Sequence, residues 1–310
     1  MKAVGVTGPD FVPRLFDVDE PTALSDGVVV EVLASSVNEF DRAAARGHYN
    51  GQTSRPDPVL LGRDFVGRVA AVGDDVNYID VGMYVAGAMA PRAWGQPGTF
   101  TDKVAVRADL LAPVPDGIDL AHVAGVGLAG VTALDAVDTL GITGIESVLI
   151  HGPVGGVGGF ALQLAKARGA AVVALTPAED VELAGKLGAD VVIAEGPYRT
   201  RSAQQVRDVF GGGVDAAIHV GGDVLVIADV VRAEGEFTSV AGVATPVTPA
   251  GPRFVPTVVR PNGHKLADLL FKVAALRLRS HVDGAVSFDQ VGDVVNPQRR
   301  KTGDRMVVIR

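Results

Sequence analysis

The stretch that decides the fold reads Ser147-Val-Leu-Ile-His-Gly-Pro-Val-Gly-Gly-Val-Gly-Gly-Phe-Ala-Leu-Gln-Leu-Ala-Lys-Ala-Arg-Gly169. It opens on a short apolar run, 148–150, which is too short for a helix and is typical of a strand buried on both faces of a parallel sheet. Apolar residues later recur at helical spacing as far as Gly169, which predicts a helix beginning near Val157. Between the two lie the glycines Gly152, Gly155, Gly156 and Gly158.

Strand, glycine turn and helix in this order form the nucleotide-binding version of a βα unit. Glycines allow a tight turn and a close approach of a pyrophosphate, and the start of the helix offers unpaired N–H groups and the positive end of its dipole. The spacing is Gly-x-x-Gly-Gly-x-Gly instead of the commoner Gly-x-Gly-x-x-Gly. From the turn alone, a tight connection without any ligand therefore stays open as the alternative.

Composition limits the class of protein. The chain has 310 residues, enough for two domains, with 47% hydrophobic and 21% charged residues. A net charge of −8, with Arg299-Arg300-Lys301 as its one short basic run, argues against nucleic acid as a partner. The longest apolar region, 120–140, carries His122, Asp135 and Asp138 and does not read as a membrane span. The N-terminus has no signal-peptide pattern and the chain has no cysteine, so we expect a cytoplasmic protein.

The pattern of elements changes along the chain. Short β segments at 28–33, 66–72, 83–86 and 103–106, broken by turns, predict a barrel-like β domain, and Asp119 is placed to cap a helix starting at Leu120. From Ser147 strands are expected at 147–151, 171–175, 191–193, 215–220 and 235–240, with helices between them, as in a doubly wound parallel sheet. A helix at 265–278 and a strand at 306–309 are expected to return to the first domain. The predicted division is 1–118 with 262–310, and 119–261.

Three further segments, 36–49, 61–69 and 127–133, resemble the medium-chain dehydrogenase/reductase superfamily and most closely its zinc-free quinone oxidoreductase branch. The resemblance runs through nearly the whole chain in the same order. It implies a GroES-like β domain, a Rossmann domain of doubly wound parallel sheet, and a cleft that binds a nicotinamide cofactor. It also implies a homodimer, because dimers are usual in this family.

Residue type argues against a metal. Zinc-dependent relatives bind the catalytic ion through two cysteines and a histidine, and the matching positions here are Asn38, Arg63 and Leu128, which cannot supply a thiolate or imidazole. Without a Lewis acid a conjugated acceptor is the easier substrate, because hydride addition leaves an enolate or phenolate that hydrogen-bond donors can stabilise. The resemblance accordingly implies hydride transfer from NADPH to a quinone or an α,β-unsaturated carbonyl.

The resemblance places Asn38, Asp41 and Tyr49 around the substrate. Asn38 could donate its amide to the carbonyl oxygen, and Tyr49 or a water could supply a proton. Each has a plainer alternative: Asn38 stabilising a turn, Asp41 pairing with an arginine, and Tyr49 on a rim. Arg63 is either an electrophile or the ion-pair partner of Asp41 or Asp64. Ala43 stands where relatives often carry a second tyrosine, which weakens any scheme with two tyrosines.

The cofactor-binding residues expected are Thr132, Gly152, Gly155, Gly156, Val157, Gly158, Thr176, Arg199, Gly221 and Ala241. His151 and His219, at predicted strand ends, are more readily interpreted as packing residues than as catalytic acids.

Residues near the end of the second predicted strand bear on the choice of cofactor. Thr176 and Glu179 read as a capping box around Pro177, which would leave Glu179 occupied by the helix. No basic residue lies in this turn, and Glu195 stands where NADPH-using relatives often have a tyrosine, although Lys186, Arg199 and Arg201 are possible substitutes. The resemblance favours NADPH, and NADH stays open.

A second class of function remains open. The tail from Val286 is short beside typical relatives, so a reductase-like protein that binds nucleotide without turnover, acting as a binding module, is the alternative.

Overall fold

Two units make up the chain: Met1–Val131 with Pro261–Arg310, and Thr132–Arg260. The structure is a computed structural model. It describes residues 1–8, 10–47, 58–89, 98–143, 146–196, 198–241, 251–296 and 306–309. Tyr49, one of the predicted catalytic residues, lies outside the described residues. The predicted domain boundaries at 119 and 261 stay a prediction.

The strands of the described residues are numbered in chain order. They are β1 (Lys2–Val6), β2 (Arg14–Asp17), β3 (Gly27–Ser36), β4 (Val59–Leu60), β5 (Asp64–Val72), β6 (Tyr84–Ala88), β7 (Lys103–Arg107), β8 (Leu111–Pro113), β9 (Ser147–His151), β10 (Ala171–Thr176), β11 (Val191–Ala194), β12 (Val214–His219), β13 (Val231–Ser239), β14 (Arg253–Phe254), β15 (Gly284–Ser287) and β16 (Met306–Ile309). The helices are α1 (Glu39–Ala45), α2 (Leu120–Thr139), α3 (Gly156–Ala167), α4 (Val181–Lys186), α5 (Arg199–Val209), α6 (Leu225–Val230), α7 (Gly263–Ala274) and α8 (Val291–Val295).

The first unit is built on β-sheet, as its run of short segments predicts. Six strands follow in the order β15-β16-β3-β5-β6-β8, β7 pairs with β3 off this path, and a separate three-stranded sheet has the order β2-β1-β4. Alternating apolar residues of β3, among them Val28, Val30 and Val32, are buried in the core of the larger sheet. The predicted return of the C-terminal strand is confirmed, because β16 pairs antiparallel with β3, with Val307 opposite Ser36.

The second unit is a parallel sheet of six strands in the order β11-β10-β9-β12-β13-β14. This is the doubly wound Rossmann order that the strand–helix alternation predicts. All five residues of β9 are buried, because the strand lies between β10 and β12 and has neighbours on both edges. The strand order reverses between β9 and β12, so a crevice opens at their carboxyl ends, which is where such sheets bind ligands.

Helix α2 is interrupted at Gly127, whose φ of −29° and ψ of −107° are not helical. Its start is capped as predicted, since an oxygen of Asp119 accepts from the N–H groups of Ala121 and His122. By length and composition this helix could cross a membrane, but 72% of its most apolar window is buried within the protein, as in a core helix.

The predicted capping box at Thr176 is wrong. Strand β10 continues through Thr176, which pairs with Ala194 of β11. Thr176 is therefore a strand residue and does not cap a helix. A 3₁₀ turn at Ala178–Asp180 follows Pro177 without any side-chain cap, and α4 begins only at Val181. Glu179 is therefore exposed and is not held by the helix.

Candidate functional site

At two positions of the glycine turn after β9, backbone conformation or close backbone packing leaves no room for a side chain. Gly152 has a φ of +83°, the left-handed region that side chains disfavour, and its N–H donates to the Leu175 carbonyl at 3.1 Å. A Cβ on Gly158 would lie 1.9 Å from the carbonyl oxygen of Gly152. Helix α3 begins at Gly156, one residue before the predicted start. The turn thus brings the first N–H groups of α3 against the end of β9.

Two other glycines face open space. A Cβ on Gly221 would meet nothing within 4 Å, and one on Gly155 would meet only the Gly152 oxygen, at 3.9 Å. Neither residue has a positive φ, so neither packing nor backbone strain explains a glycine at these positions. Both follow carboxyl ends of neighbouring strands, Gly155 after β9 and Gly221 after β12. The open space beside these two glycines lies where dinucleotide folds bind a pyrophosphate, and backbone N–H donors border it.

A row of polar side chains crosses the carboxyl edge of the same sheet. His151 Nε2 contacts an oxygen of Glu195, and the rings of His151 and His219 have centroids 5.4 Å apart. His219 Nε2 faces the Gly222 carbonyl at 3.3 Å, which fixes the proton on Nε2, and Nδ1 then accepts from the Ser239 hydroxyl at 2.9 Å. Burial lowers the pKa of His219, which favours the neutral ring. His219 is a packing residue with both ring nitrogens bonded, as the plainer interpretation held. His151 is bonded through Nε2, but its buried Nδ1 has no hydrogen-bond partner among the described residues.

Other predicted cofactor residues of this unit are placed as follows. Thr176 is fully buried and its hydroxyl has no hydrogen-bond partner among the described residues. Arg199 opens α5 and forms an ion pair with Asp229 at 2.8 Å. Thr132 is buried in α2, and Ala241 follows β13. A buried hydroxyl without a partner costs about 1–3 kcal/mol, so Thr176 calls for a ligand or a water.

In the first unit a buried carboxylate joins three segments. The Asp64 oxygens accept from the Ser36 N–H at 2.9 Å and from the Ser36 hydroxyl at 2.8 and 2.9 Å. They also accept from the Asn38 amide at 3.2 Å and from the Leu128 N–H at 2.9 Å. Asp64 is fully buried, and desolvation raises its pKa although these donors act in the opposite direction.

The break in α2 at Gly127 makes room for the Asp64 side chain. A Cβ on Gly127 would lie 2.4 Å from the Asp64 Cβ and 2.8 Å from one of its oxygens. The non-helical backbone of Gly127 releases the N–H of Leu128, which Asp64 accepts. Asp64 therefore caps the part of the helix that follows the break.

Asn38 is oriented by the same carboxylate. Its amide nitrogen lies 3.2 Å from the Ser36 carbonyl, 3.3 Å from the Ser36 hydroxyl and 3.2 Å from Asp64. Carbonyl and carboxylate oxygens only accept, so the nitrogen must point toward them and the amide oxygen away. Donation to a substrate carbonyl would have to replace one of these bonds.

Asp41 is held on both sides. One oxygen accepts from the Gly62 N–H at 2.7 Å and the other from the Asn38 N–H at 2.8 Å. Burial raises the pKa of Asp41 to about 6, because the loss of solvation outweighs those two donors and the nearby charge of Arg63. Arg63 itself donates to the Gly62 carbonyl at 2.7 Å and lies 3.9 Å from the centre of the Phe40 ring. Asp41 thus shapes the loop that carries Asn38.

Sequence reasoning named Asp64 only as a possible partner of Arg63, and it missed Ser36, Gly127 and Gly222. A Cβ on Gly222 would strike the His151 ring at 2.2 Å, so that glycine serves the histidine. The available signal was the single acidic residue of the strand 64–72, which opens a largely apolar run interrupted by Arg68; a carboxylate buried in such a run must be paired.

A parallel sheet with a glycine turn at its switch point, together with a β unit that includes the C-terminal strand, defines a dinucleotide-binding protein of two-domain type. Residues 25–116 match the family described as alcohol dehydrogenase GroES-like domain, and residues 156–263 match the family described as zinc-binding dehydrogenase. The chain belongs to the medium-chain dehydrogenase/reductase superfamily.

Relatives extend over most of the chain. A 2-methylene-furan-3-one reductase of Solanum lycopersicum is 31% identical over 284 residues, covering 89% of this chain and 70% of that protein. A chloroplastic NADPH-dependent alkenal/one oxidoreductase of Arabidopsis thaliana is 30% identical, covering 92% and 72%. Among solved structures, a mycobacterial protein complexed with NADPH superposes with a TM-score of 0.83 at 26% identity over the full length of both chains.

Proposed function

We propose that this protein is a zinc-independent reductase that uses NADPH to reduce a quinone or an α,β-unsaturated carbonyl compound. The observation that carries the proposal is the open space at Gly155 and Gly221, above the switch point of the sheet. The 2-methylene-furan-3-one reductase and the NADPH-dependent alkenal/one oxidoreductase, 31% and 30% identical to this chain, support the same class of substrate.

The residues of the glycine turn would hold the dinucleotide. Among the described residues no side chain caps the start of α3, so its first N–H groups can donate to the pyrophosphate, and the positive end of the helix dipole stabilises its charge. Gly155, Gly156, Val157 and Gly158 form that start, and Gly221 bounds the space from β12. When bound, the reduced nicotinamide supplies the hydride.

The residues of the first unit would position the substrate. Asp64 fixes the orientation of Asn38, and Asp41 holds the backbone of the same residue. A conjugated acceptor requires stabilisation of negative charge on oxygen and then one proton, for which Tyr49 or a water remains the predicted source. Asn38 can contribute to the first task by exchanging its bond with Ser36 for one to the substrate.

The residues present do not fit a zinc ion, although one matching family is named for zinc. The chain has no cysteine, and the positions of the metal ligands hold Asn38, Arg63 and Leu128. Within the described ranges no three His, Asp or Glu side chains come together in a group that could hold a metal ion. In addition, the Asn38 amide and the Leu128 N–H bind Asp64.

The preference for NADPH rests on the relatives. The Arabidopsis thaliana enzyme is NADPH-dependent, and the mycobacterial structure contains NADPH. Homodimer formation and a cytoplasmic location remain predictions from the resemblance and from the composition.

The decisive experiment measures oxidation of NADPH and NADH against a panel of enones, alkenals and quinones, with cofactor binding followed separately by the fluorescence of the reduced nicotinamide. We expect turnover with at least one conjugated acceptor and none with saturated ketones. Cofactor binding without oxidation across the panel would instead establish the binding module. No binding of either dinucleotide would refute both.

A further inference from the structure

Three cations of the second unit are candidates for the 2′-phosphate of NADPH, and their partners differ. Arg199 is paired with Asp229 at 2.8 Å, and Lys186 is paired with Glu182 at 2.5 Å. Arg201 is exposed, and its guanidinium has no ion pair or hydrogen bond among the described residues. Its charge is therefore the one of the three that no described carboxylate neutralises.

The position of Arg201 is set by the end of β11. A Cβ on Gly196 would lie 3.6 Å from Arg201 Cδ, so the aliphatic part of the arginine runs beside that glycine. One residue earlier, the Glu195 N–H donates to the Thr176 carbonyl at 2.8 Å. The arginine thus lies beside Gly196, just beyond the carboxyl end of β11, and the residue before that glycine is bonded to the end of β10.

The neighbouring carboxylate of Glu195 has a partner of its own. One of its oxygens contacts Nε2 of His151, whose ring is almost fully buried beneath it. In dinucleotide folds the adenosine ribose lies at the end of the second strand, where a carboxylate binds the 2′-hydroxyl of NAD and an arginine accommodates the 2′-phosphate of NADP. The second strand here is β10, after which Glu179 is exposed, whereas Glu195 follows the third strand, β11. Because His151 occupies the Glu195 carboxylate, that group does not neutralise Arg201, which remains for the phosphate.

We propose that Arg201, and not Arg199, binds the 2′-phosphate of NADPH and sets the preference over NADH. The inference rests on the proposed function only in taking NADPH as the cofactor. A guanidinium matches the geometry of a phosphate with paired N–H donors, and its charge is constant at all working pH values. Arg199 would first have to break its ion pair with Asp229.

The test uses adenosine 2′,5′-bisphosphate and adenosine 5′-monophosphate as probes in calorimetric titrations of the full chain. We expect the wild-type protein to bind the bisphosphate roughly 10- to 100-fold more tightly, the range of one charge-assisted contact. Arg201→Gln should remove most of this difference, and the matched variant Arg199→Gln should keep it. Because Arg201 is exposed, its variant should unfold at the wild-type temperature.

Three results would overturn the proposal: a bisphosphate preference retained by Arg201→Gln, a preference lost in Arg199→Gln, or no preference in the wild-type protein. These outcomes are separate from the fate of the reductase activity. An intact preference that depends on Arg201, without turnover of any acceptor, would support the arginine and contradict the reductase. Equal turnover with both cofactors, together with no preference between the two probes, would support the reductase and contradict the role of Arg201.

Discussion

The close approach of Gly158 to Gly152 supports the sharpest prediction. In Gly158→Ala the new Cβ would lie 1.9 Å from the Gly152 carbonyl oxygen and 3.0 Å from Cα of Pro153, where ordinary contacts begin near 3.4 Å. All of these atoms are backbone, so no side-chain rotation can relieve the overlap. Overpacking of this kind costs about 1–3 kcal/mol, and a backbone clash belongs at the upper end. We expect the free energy of unfolding to fall by about 2–3 kcal/mol.

Gly221→Ala is the matched control, because the same methyl group there meets no atom within 4 Å. Its free energy of unfolding should stay within about 0.5 kcal/mol of the wild-type value. Its affinity for NADPH should nevertheless fall at least about tenfold, since the methyl group enters the space that the pyrophosphate requires.

Both variants are measured by urea unfolding followed by circular dichroism and by titration of NADPH fluorescence. A loss of about 2–3 kcal/mol should lower Tm by roughly 3–5 °C in a protein of this size. Wild-type stability in Gly158→Ala would refute the close approach of the two glycines. Wild-type affinity in Gly221→Ala would refute the assignment of the open space to the dinucleotide.

Three further predictions concern buried polar groups. Because the pKa of Asp41 is raised to about 6 from 3.8, its contribution to stability is complete below pH 4 and is lost as pH rises past 6, a change of about 3 kcal/mol. The unfolding free energy of the wild-type protein relative to Asp41→Asn should fall by that amount between pH 4 and 7 in urea titrations, and a constant difference would contradict the raised pKa. Gly127→Ala should lower the free energy of unfolding by about 2 kcal/mol or more, because its Cβ would displace Asp64 from the Leu128 N–H; thermal unfolding at the wild-type temperature would be inconsistent with that contact. Thr176→Val should stabilise the cofactor-free protein by about 1 kcal/mol, because it removes a buried hydroxyl that has no partner among the described residues, and a destabilised variant in the same assay would indicate an unseen partner.

Elements with a strong local signal were predicted closely. The strands expected at 147–151 and 306–309 have those bounds in the structure, because a short apolar run between turn residues has few alternatives. Helix α7 was expected at 265–278 and is found at Gly263–Ala274. The end of the helix was predicted too late because Leu276 has a positive φ of 56°, which is not helical and which no local sequence pattern indicates.

Predictions about individual polar side chains were weaker. Thr176 and Glu179 have the spacing of a capping box, yet pairing with β11 extends β10 through Thr176 and removes the helix start. Tertiary pairing outweighed a local motif there. A capping box is worth little beside a ladder of backbone hydrogen bonds and a buried strand.

The amino-acid sequence alone determined the parallel sheet, the glycine turn and the absence of thiolate ligands, because each depends on residues close together in the chain or on composition. Only the tertiary structure decided which side chains meet. The contacts of Asp64 with Ser36 and Leu128, and of His151 with Glu195, join residues 28 to 64 positions apart. Such partners are chosen by burial, since a charged or polar group removed from water must find a counterpart wherever the folded chain brings one within reach.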